Sequence, residues 1–355
     1  MWIEGVYVET KVWLVDKSVD IFNGYPQVAQ PAKMLQQDKV VAFPTETVYG
    51  LGANARSDKA VEKVFKAKGR PSDNPLIVHI ASRAQLDEIT EEIPEVAEKL
   101  MEVFWPGPLT LIFKKRQGVL SELVTAGLDT VAVRMPDHPV ALALIKESGL
   151  PIAAPSANTS GRPSPTTARH VQDDLTGKVA GIVDAGATGV GVESTVLDCT
   201  EEIPVILRPG GITKEEIEDV IGEVKADASL KNKEAAPKSP GMKYTHYAPK
   251  APFVLVDGNL SFLQHIIDEK QSEGLKVGVF AARENETKIR ADYVLAPGSV
   301  EDLNSVAAGL YDTLRKFDEL PVDVIYGEVF PDTGIGAAVM NRLLKASGHR
   351  VIRHE

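Results

Sequence analysis

Apolar and polar positions along the chain fall into two patterned blocks, separated by a stretch without an apolar period. In the first block, roughly Asn23 to Gly222, short apolar runs alternate with helical spacings. Lys39 to Phe43, Leu76 to Ile80, Leu109 to Phe113, Thr130 to Arg134, Ile152 to Ala154 and Val196 to Asp198 read as strands. Asp58 to Lys68, Pro94 to Phe104, Pro139 to Ser148 and Thr166 to Leu175 read as helices. Thr213 followed by Glu216 has capping-box spacing, which predicts a helix ending near Gly222. Residues 1–22 precede this block as an extension carrying one short strand, roughly Thr10 to Val15.

Residues 223–250 mix charges, small side chains and prolines, a composition that links rather than packs. From 251 to 355 the alternation resumes. Phe253 to Val256, Lys276 to Phe280, Tyr293 to Leu295 and Val324 to Tyr326 suit buried parallel strands. Leu260 to Glu273 and Ser299 to Asp318 suit helices. In the second, Val300, Leu303, Val306, Ala307, Leu310, Leu314 and Phe317 share one face, and Ser299 is expected to cap it, with Asp302 three residues on. This predicts a smaller, Rossmann-like, doubly wound α/β domain. It lacks the full GxGxxG fingerprint, so dinucleotide binding is not expected of it.

Composition narrows the class. Of 355 residues, 43% are hydrophobic and 25% charged, so the chain can bury sizeable cores. Lys plus Arg is 39 and Asp plus Glu is 50, a net charge of −11. That balance argues against coating nucleic acid or an anionic membrane through the overall field. The single cysteine, Cys199, excludes an intramolecular disulfide and a cysteine-rich zinc site, which fits a cytoplasmic protein. No apolar run approaches the roughly 18 residues of a membrane span.

Four segments beside predicted strands are dense in Pro, Gly, Ser, Thr and Asn next to charged groups: Pro44–Ala53, Lys66–Ile80, Ala154–Thr166 and Gly191–Asp198. Loops at strand ends are where α/β domains usually place ligands. Lys66, Lys68 and Arg70 serve either as complements to a helix C-terminus or as an anion clamp. His79 lies inside an apolar strand, where a lone histidine is more often a satisfied core residue than a ligand. Ser156, Asn158, Thr159, Ser160 and Ser164, stiffened by Pro155, Pro163 and Pro165, suit contacts to phosphate or nucleotide, though the same residues are common in turns. Arg134 and Arg208 end strands, where an arginine can receive a carboxylate or phosphate or form a surface ion pair. No Walker loop, GxSxG or HExxH occurs. A site of cations, hydroxyls and amides without a nucleophile suits phosphate chemistry by positioning and electrostatics.

The segments PTETVYGLGA, KGR-PSDNPLIVHI, WPGPLT, VAVRMPDHP, PSAN-SG-PSPT, ESTVLD and LRPGGI, in that order, resemble the YrdC-like family over about Asn23 to Gly222. SPGMKYTHYAP (Ser239 to Pro249) with the trailing α/β block resembles the longer two-domain form. The resemblance implies a twisted mixed sheet with helices at 23–222, a linker that acts as a lid at 223–250, and the α/β domain after it. It implies that L-threonine, bicarbonate and ATP, with Mg²⁺, give threonylcarbamoyladenylate and pyrophosphate. A downstream transferase would then modify position 37 of tRNA. By the same resemblance, Thr47, His79, Arg134, Ala154 and Ser194 surround L-threonine. Lys68, Arg70 and Asn74 hold the triphosphate, with Lys68 and Arg70 serving catalysis. Thr130, Ser156, Asn158, Ser164, Arg208 and Tyr247 contact the nucleotide, Tyr247 as the lid. Metal ligands are not assigned.

Two other readings compete. One is a module for double-stranded RNA or tRNA, using Lys63, Lys66, Lys68, Arg70, Lys114, Lys115 and Arg116 as a cationic patch. The other is the carbamoyl phosphate chemistry of a related hydrogenase-maturation domain, for which no accompanying acylphosphatase-like segment is visible.

Overall fold

The structure, a computed structural model, describes residues 8–16, 24–227 and 247–354. Most of the predicted linker, and the first part of the predicted extension, lie outside the described residues.

The first region builds one large mixed sheet from β1 (Lys11–Leu14), β2 (Val41–Phe43), β3 (Gly50–Asn54), β4 (Ile77–His79), β5 (Leu109–Lys114), β6 (Thr130–Arg134), β7 (Ile152–Ala153), β8 (Gly181–Asp184), β9 (Thr195–Asp198), β10 (Val205–Arg208) and β11 (Lys225–Ala226). Their order across the sheet is β1-β8-β2-β3-β7-β4-β6-β5-β9-β10-β11. Two faces differ along β6. Val131 and Val133 enter the main core with Val78, Leu111 and Leu197. Ala132 lies on the other face with Ile77, Ile112, Val196 and Leu207, in a small satellite cluster. Alternation therefore puts Arg134 on that second face.

The helices Asp58–Lys68, Glu95–Phe104, Pro139–Ser148 and Ala168–Leu175 match the sequence periodicity closely. The capping box at Thr213 and Glu216 starts the helix Lys214–Ile221. Helices Ala29–Gln36, Arg83–Ile89 and Glu122–Thr125, and strands β3, β8 and β11, were not anticipated. Strand β3 is GLGAN, whose glycines read as turn residues; Gly52 is needed because a Cβ there would meet Ile152 and Phe43 side chains at 2.9 Å.

The second region holds β12 (Phe253–Asp257), β13 (Val277–Phe280), β14 (Tyr293–Leu295), β15 (Val324–Glu328) and β16 (Val351–Arg353). All pair in parallel, in the order β14-β13-β15-β12-β16. Helix Leu260–Ser272 follows β12, and helices Leu303–Phe317 and Ile335–Ala346 flank β15 in sequence. The second of these begins at Leu303, not at Ser299. Asp302 is its N-cap, accepting from Asn304 N, while the Ser299 hydroxyl bonds Glu284 instead. The Ser299 oxygen accepts from Glu301 N at 3.1 Å, within the turn that precedes the helix.

The two regions share apolar packing. Val48, Val190 and Val192 of the first pack in one cluster with Phe253, Leu310, Leu314 and Leu343 of the second. Gly191 makes this possible: its φ is +80°, and a Cβ would lie 2.4 Å from Ala307 O.

Candidate functional site

The site forms where β4 and β6 end together. Their parallel register sets His79 beside Arg134. Strand β7 runs antiparallel to β4, and Ala154 N donates to Ile77 O at 2.9 Å. Strands β9 and β10 are antiparallel, with Arg208 opposite Val196, so Arg208 reaches the residue just before β9. Its Nε and Nη2 donate to Ser194 O at 3.1 and 2.9 Å, and Nη2 also to Ser194 Oγ at 3.1 Å. Ser194 Oγ lies 2.7 Å from Thr110 Oγ1.

The loop between β2 and β3 is shaped by its own hydroxyls. Thr45 Oγ1 accepts from Thr47 N and Val48 N at 3.2 and 3.3 Å and donates to Val48 O at 2.6 Å. Such local bonds favour turns over regular structure. Thr47 Oγ1 lies 2.9 Å from Thr45 Oγ1 and accepts from Arg134 Nη1 at 2.9 Å. Because Thr45 already donates to Val48, the proton between the two threonines belongs to Thr47.

Helix Asp58–Lys68 ends at Gly69, whose φ of 63° turns the chain out of the helix. Lys68 Nζ is buried and donates to Ser156 O, Asn158 O and Asn158 Oδ1 at 2.5, 2.6 and 3.2 Å. It therefore staples the serine-rich loop to the helix. Asn158 completes that loop by donating to Thr159 O and Arg162 O at 2.9 and 2.8 Å. Arg70 Nη2 donates to Asn74 O at 3.2 Å and closes the following turn. The side-chain amide of Asn74 is buried with neither its nitrogen nor its oxygen hydrogen-bonded. A buried amide left so is costly unless a ligand completes it.

One cavity joins these groups. Thr47, Lys68, Arg70, His79, Arg134, Ala154, Ser156, Asn158, Ser194, Arg208 and Tyr247 all line it. The empty space within it and across its open mouth is about 750 Å³. Its wall carries Lys68, Arg70, Arg134 and Arg208 against one carboxylate, Glu193, so the site is built for an anion.

Three sequence candidates stand outside the cavity wall. Asn74 is buried behind it, and Ser164 donates from a buried position to Glu193 Oε1 at 2.6 Å. Thr130 lies at the far end of β6, paired with Lys114. It shares Arg134's face, but four residues of strand separate them by about 13 Å. Sequence reasoning gave no role to Glu46, Thr45 or Glu193. Glu193 was visible only as part of GVESTVLD, and two of its partners, Tyr311 and Arg342, lie more than a hundred positions away.

Electrostatics follow from burial. His79 is held neutral: burial first, and the Arg134 charge second, push it down to about 3. Its Nδ1 has no hydrogen-bond partner. Burial would raise the Glu193 carboxyl, but the charges of Arg342 and Arg208 and the Ser164 hydroxyl outweigh that and hold it at about 2. Burial and the neighbouring Arg70 lower Lys68 well below an ordinary lysine.

Tyr247, near the end of the predicted linker, is buried with φ 67°. Positive φ is rare for a bulky residue and here accompanies a functional cavity. Its ring centroid lies 5.1 Å from that of Tyr311 and 6.0 Å from the Arg342 guanidinium carbon. Ala248 N donates to Gly161 O at 3.0 Å, so the segment is fixed to the serine-rich loop.

The cations of the RNA reading divide: Lys66, Lys114 and Arg116 are exposed, and Lys63 and Arg70 are half-buried. Lys68 and Lys115 are buried, Lys115 bonding Glu122 and Thr125 at 2.7 and 3.0 Å. Arg116 donates to Asp87 O and Thr90 O at 3.1 and 3.2 Å. Among the described residues, no helix is long and apolar enough to cross a membrane.

Residues 33–210 match the Sua5/YciO/YrdC family model, described as "Telomere recombination". Residues 212–348 match the model described as "Threonylcarbamoyl-AMP synthase, C-terminal domain". The threonylcarbamoyl-AMP synthase of Bacillus subtilis is 60% identical over 346 residues, which is 98% of this chain and 100% of that one. The chain belongs to the threonylcarbamoyl-AMP synthase family. A second member, from Pyrococcus abyssi, is 51% identical over 327 residues, 91% of this chain and 94% of its own. A crystal structure of P. abyssi Sua5 complexed with L-threonine superposes with a TM-score of 0.91 at 48% identity, covering 98% of this chain and 100% of that one. That structure therefore shares both sheets of this one.

Proposed function

We propose that the chain makes threonylcarbamoyl-AMP from L-threonine, bicarbonate and ATP, releasing pyrophosphate. The observation that carries this is the cavity itself. Four cations, paired hydroxyls and one neutral histidine converge there with no protein nucleophile beside a base. The nucleophile then comes from the substrate. The threonine amine captures carbon dioxide or bicarbonate as a carbamate. A carbamate oxygen attacks the α-phosphorus, and the bond to the β,γ-pyrophosphate breaks.

Arg134 receives the threonine carboxylate, with Thr47, Ala154 and Ser194 around the rest. His79, uncharged and with an unused ring nitrogen, meets the hydroxyl. Arg70 and Ser156 hold the phosphates, the Lys68 charge with its stapled loop supports them, and Asn74, buried outside the wall, supports the turn that Arg70 closes. Asn158, Ser164 and Arg208 shape the nucleotide side, and Tyr247 covers it. These groups are fixed before substrate arrives, so they stabilise developing charge without reorganising. Excluding water protects a labile mixed anhydride, which supports the lid role of Tyr247.

Mg²⁺ is part of this proposal. Among the described residues no group of three His, Cys, Asp or Glu side chains is placed to hold a metal, and Glu193 is already bonded to Ser164, Tyr311 and Arg342. The residues fit an ion that arrives on the triphosphate rather than one caged by protein. When bound, it would offset phosphate charge. The product is an acylating anhydride, and we place the chain in the cytoplasm, upstream of a transferase that moves the threonylcarbamoyl group to tRNA.

The test is pyrophosphate release from ATP, Mg²⁺ and bicarbonate, with and without L-threonine, using serine and valine as controls. Release that requires threonine and bicarbonate is expected. Release indifferent to either would overturn the proposal.

A further inference from the structure

Two helices of the second region each send buried charge or polarity into the loops that line the cavity. From Leu303–Phe317, Tyr311 Oη donates toward the Glu193 carboxylate, 2.8 Å from Oε2, and Arg315 Nη2 donates to Pro163 O at 2.5 Å. Arg315 also bonds both oxygens of Asp174, at 3.2 and 2.9 Å. Asp174 Oδ2 in turn accepts from Thr159 N at 3.1 Å, within the serine-rich loop. From Ile335–Ala346, Arg342 Nε donates to Glu193 Oε2 at 2.9 Å and Nη1 to Pro209 O at 2.8 Å. Arg342 is wholly buried, and Tyr247 rests over it and against Tyr311.

We infer that Tyr311, Arg315 and Arg342 are positioning residues of the nucleotide side of the site, so that the second region completes the pocket rather than merely following it. Glu193 is the hinge of the argument. It lines the cavity, accepts from Ser164, and immediately precedes Ser194, which Arg208 grips. Without Tyr311 and Arg342 its carboxylate would be buried beside Ser164 and Arg208 alone. It would then turn toward Arg208 and draw that guanidinium away from the pocket. Without Arg315, Pro163 O and Asp174 lose their shared donor, and the loop carrying Ser156 and Asn158 loosens. Tyr247 would lose the surface on which it closes.

This inference rests on the proposed adenylation, and binding measurements separate the two. ATP and L-threonine affinities are measured by calorimetry for the full chain and for Arg342→Met, Tyr311→Phe and the double variant Glu193→Gln/Arg342→Met. Where the wild type turns over, KM and kcat are measured as well. For Arg342→Met, the Kd and KM for ATP are expected to rise at least 10-fold, while those for L-threonine change less than threefold. The double variant removes both charges, so it should recover most of the ATP affinity. A purely structural defect would weaken both ligands together and would not be rescued. Folded Arg342→Met with ATP affinity within twofold of wild type would overturn the inference. If Arg342→Met does not fold, Tyr311→Phe decides, since it keeps the ring beneath Tyr247 and removes one donor. A threefold or larger loss of ATP affinity supports the inference, and an unchanged value overturns it. Wild type that binds ATP without threonine-dependent turnover would defeat the functional proposal and leave this coupling measurable.

Discussion

Arg134 Nη2 forms a buried ion pair with Glu46 Oε1 at 2.5 Å. The other donors of Arg134 are engaged, Nη1 by Thr47 Oγ1 and Nε by Gly107 O at 3.2 Å. Glu46 thus supplies counter-charge to a guanidinium that is 4% exposed. Removing one partner of a buried pair costs more than the pair contributes. Glu46→Gln should therefore lower the melting temperature. Saturating L-threonine should raise it by more than in wild type, because the substrate carboxylate supplies the missing charge. Equal threonine-induced shifts in both proteins would count against this assignment.

Arg134→Ala removes the carboxylate receptor itself. Hydrogen bonds to charged groups contribute about 1.5–3 kcal/mol, so KM for L-threonine should rise roughly 10- to 150-fold. ATP binding, measured separately, should change little.

His79 makes stability depend on pH. Its folded value, about 3, lies below the ordinary 6.5. Between these limits the unfolded chain takes up a proton that the native state refuses. The stabilisation is complete above 6.5 and is lost as pH falls toward 3, by up to about 1.4 kcal/mol per pH unit. Glu193, at about 2 against an ordinary 4.5, adds its own loss only below 4.5. His79→Gln should flatten the denaturant-unfolding profile between pH 6.5 and 4.5. A slope matching wild type there would mean His79 is not the group responsible.

Gly210 packs directly on the chain at Ser194. A Cβ at this position would sit 2.3 Å from Glu193 O, Ser194 C and Thr195 N. Gly210→Ala must push that backbone aside, at a cost of about 1–3 kcal/mol, and kcat/KM should fall at least 10-fold. Gly189→Ala is the control, since its nearest neighbour would be Glu46 O at 3.9 Å. Comparable losses in the two would show that the contact at Ser194 is not the cause.

Tyr247→Ala should lower the yield of threonylcarbamoyl-AMP per ATP consumed, as water reaches the reacting groups. Tyr247→Phe keeps the ring between Tyr311 and Arg342 and should preserve most of the yield. Product and nucleotide are measured in the same sample, and a constant ratio in the alanine variant would end the lid assignment.

Sequence alone determined the elements whose causes are local. The helix Asp58–Lys68 follows from its periodicity and the glycine that ends it. The capping box at Thr213, the buried parallel strands at Phe253 and Val277, and the alternating β6 that ends in Arg134 have equally local causes. Strand β3 was hidden because its glycines answer to side chains of Phe43 and Ile152, which pack across the sheet. Ser299 is not the cap because its oxygen accepts from Glu301 N in the turn before the helix, which leaves Asp302 to cap it. The motif segments marked the cavity's residues but not their relations. Only the parallel register of β4 and β6 sets His79 beside Arg134, and only distance along the strand removes Thr130. The meaning of Glu193 is set by Tyr311 and Arg342, more than a hundred residues downstream. A buried charge is defined by what surrounds it in space, and chain order carries no record of those neighbours.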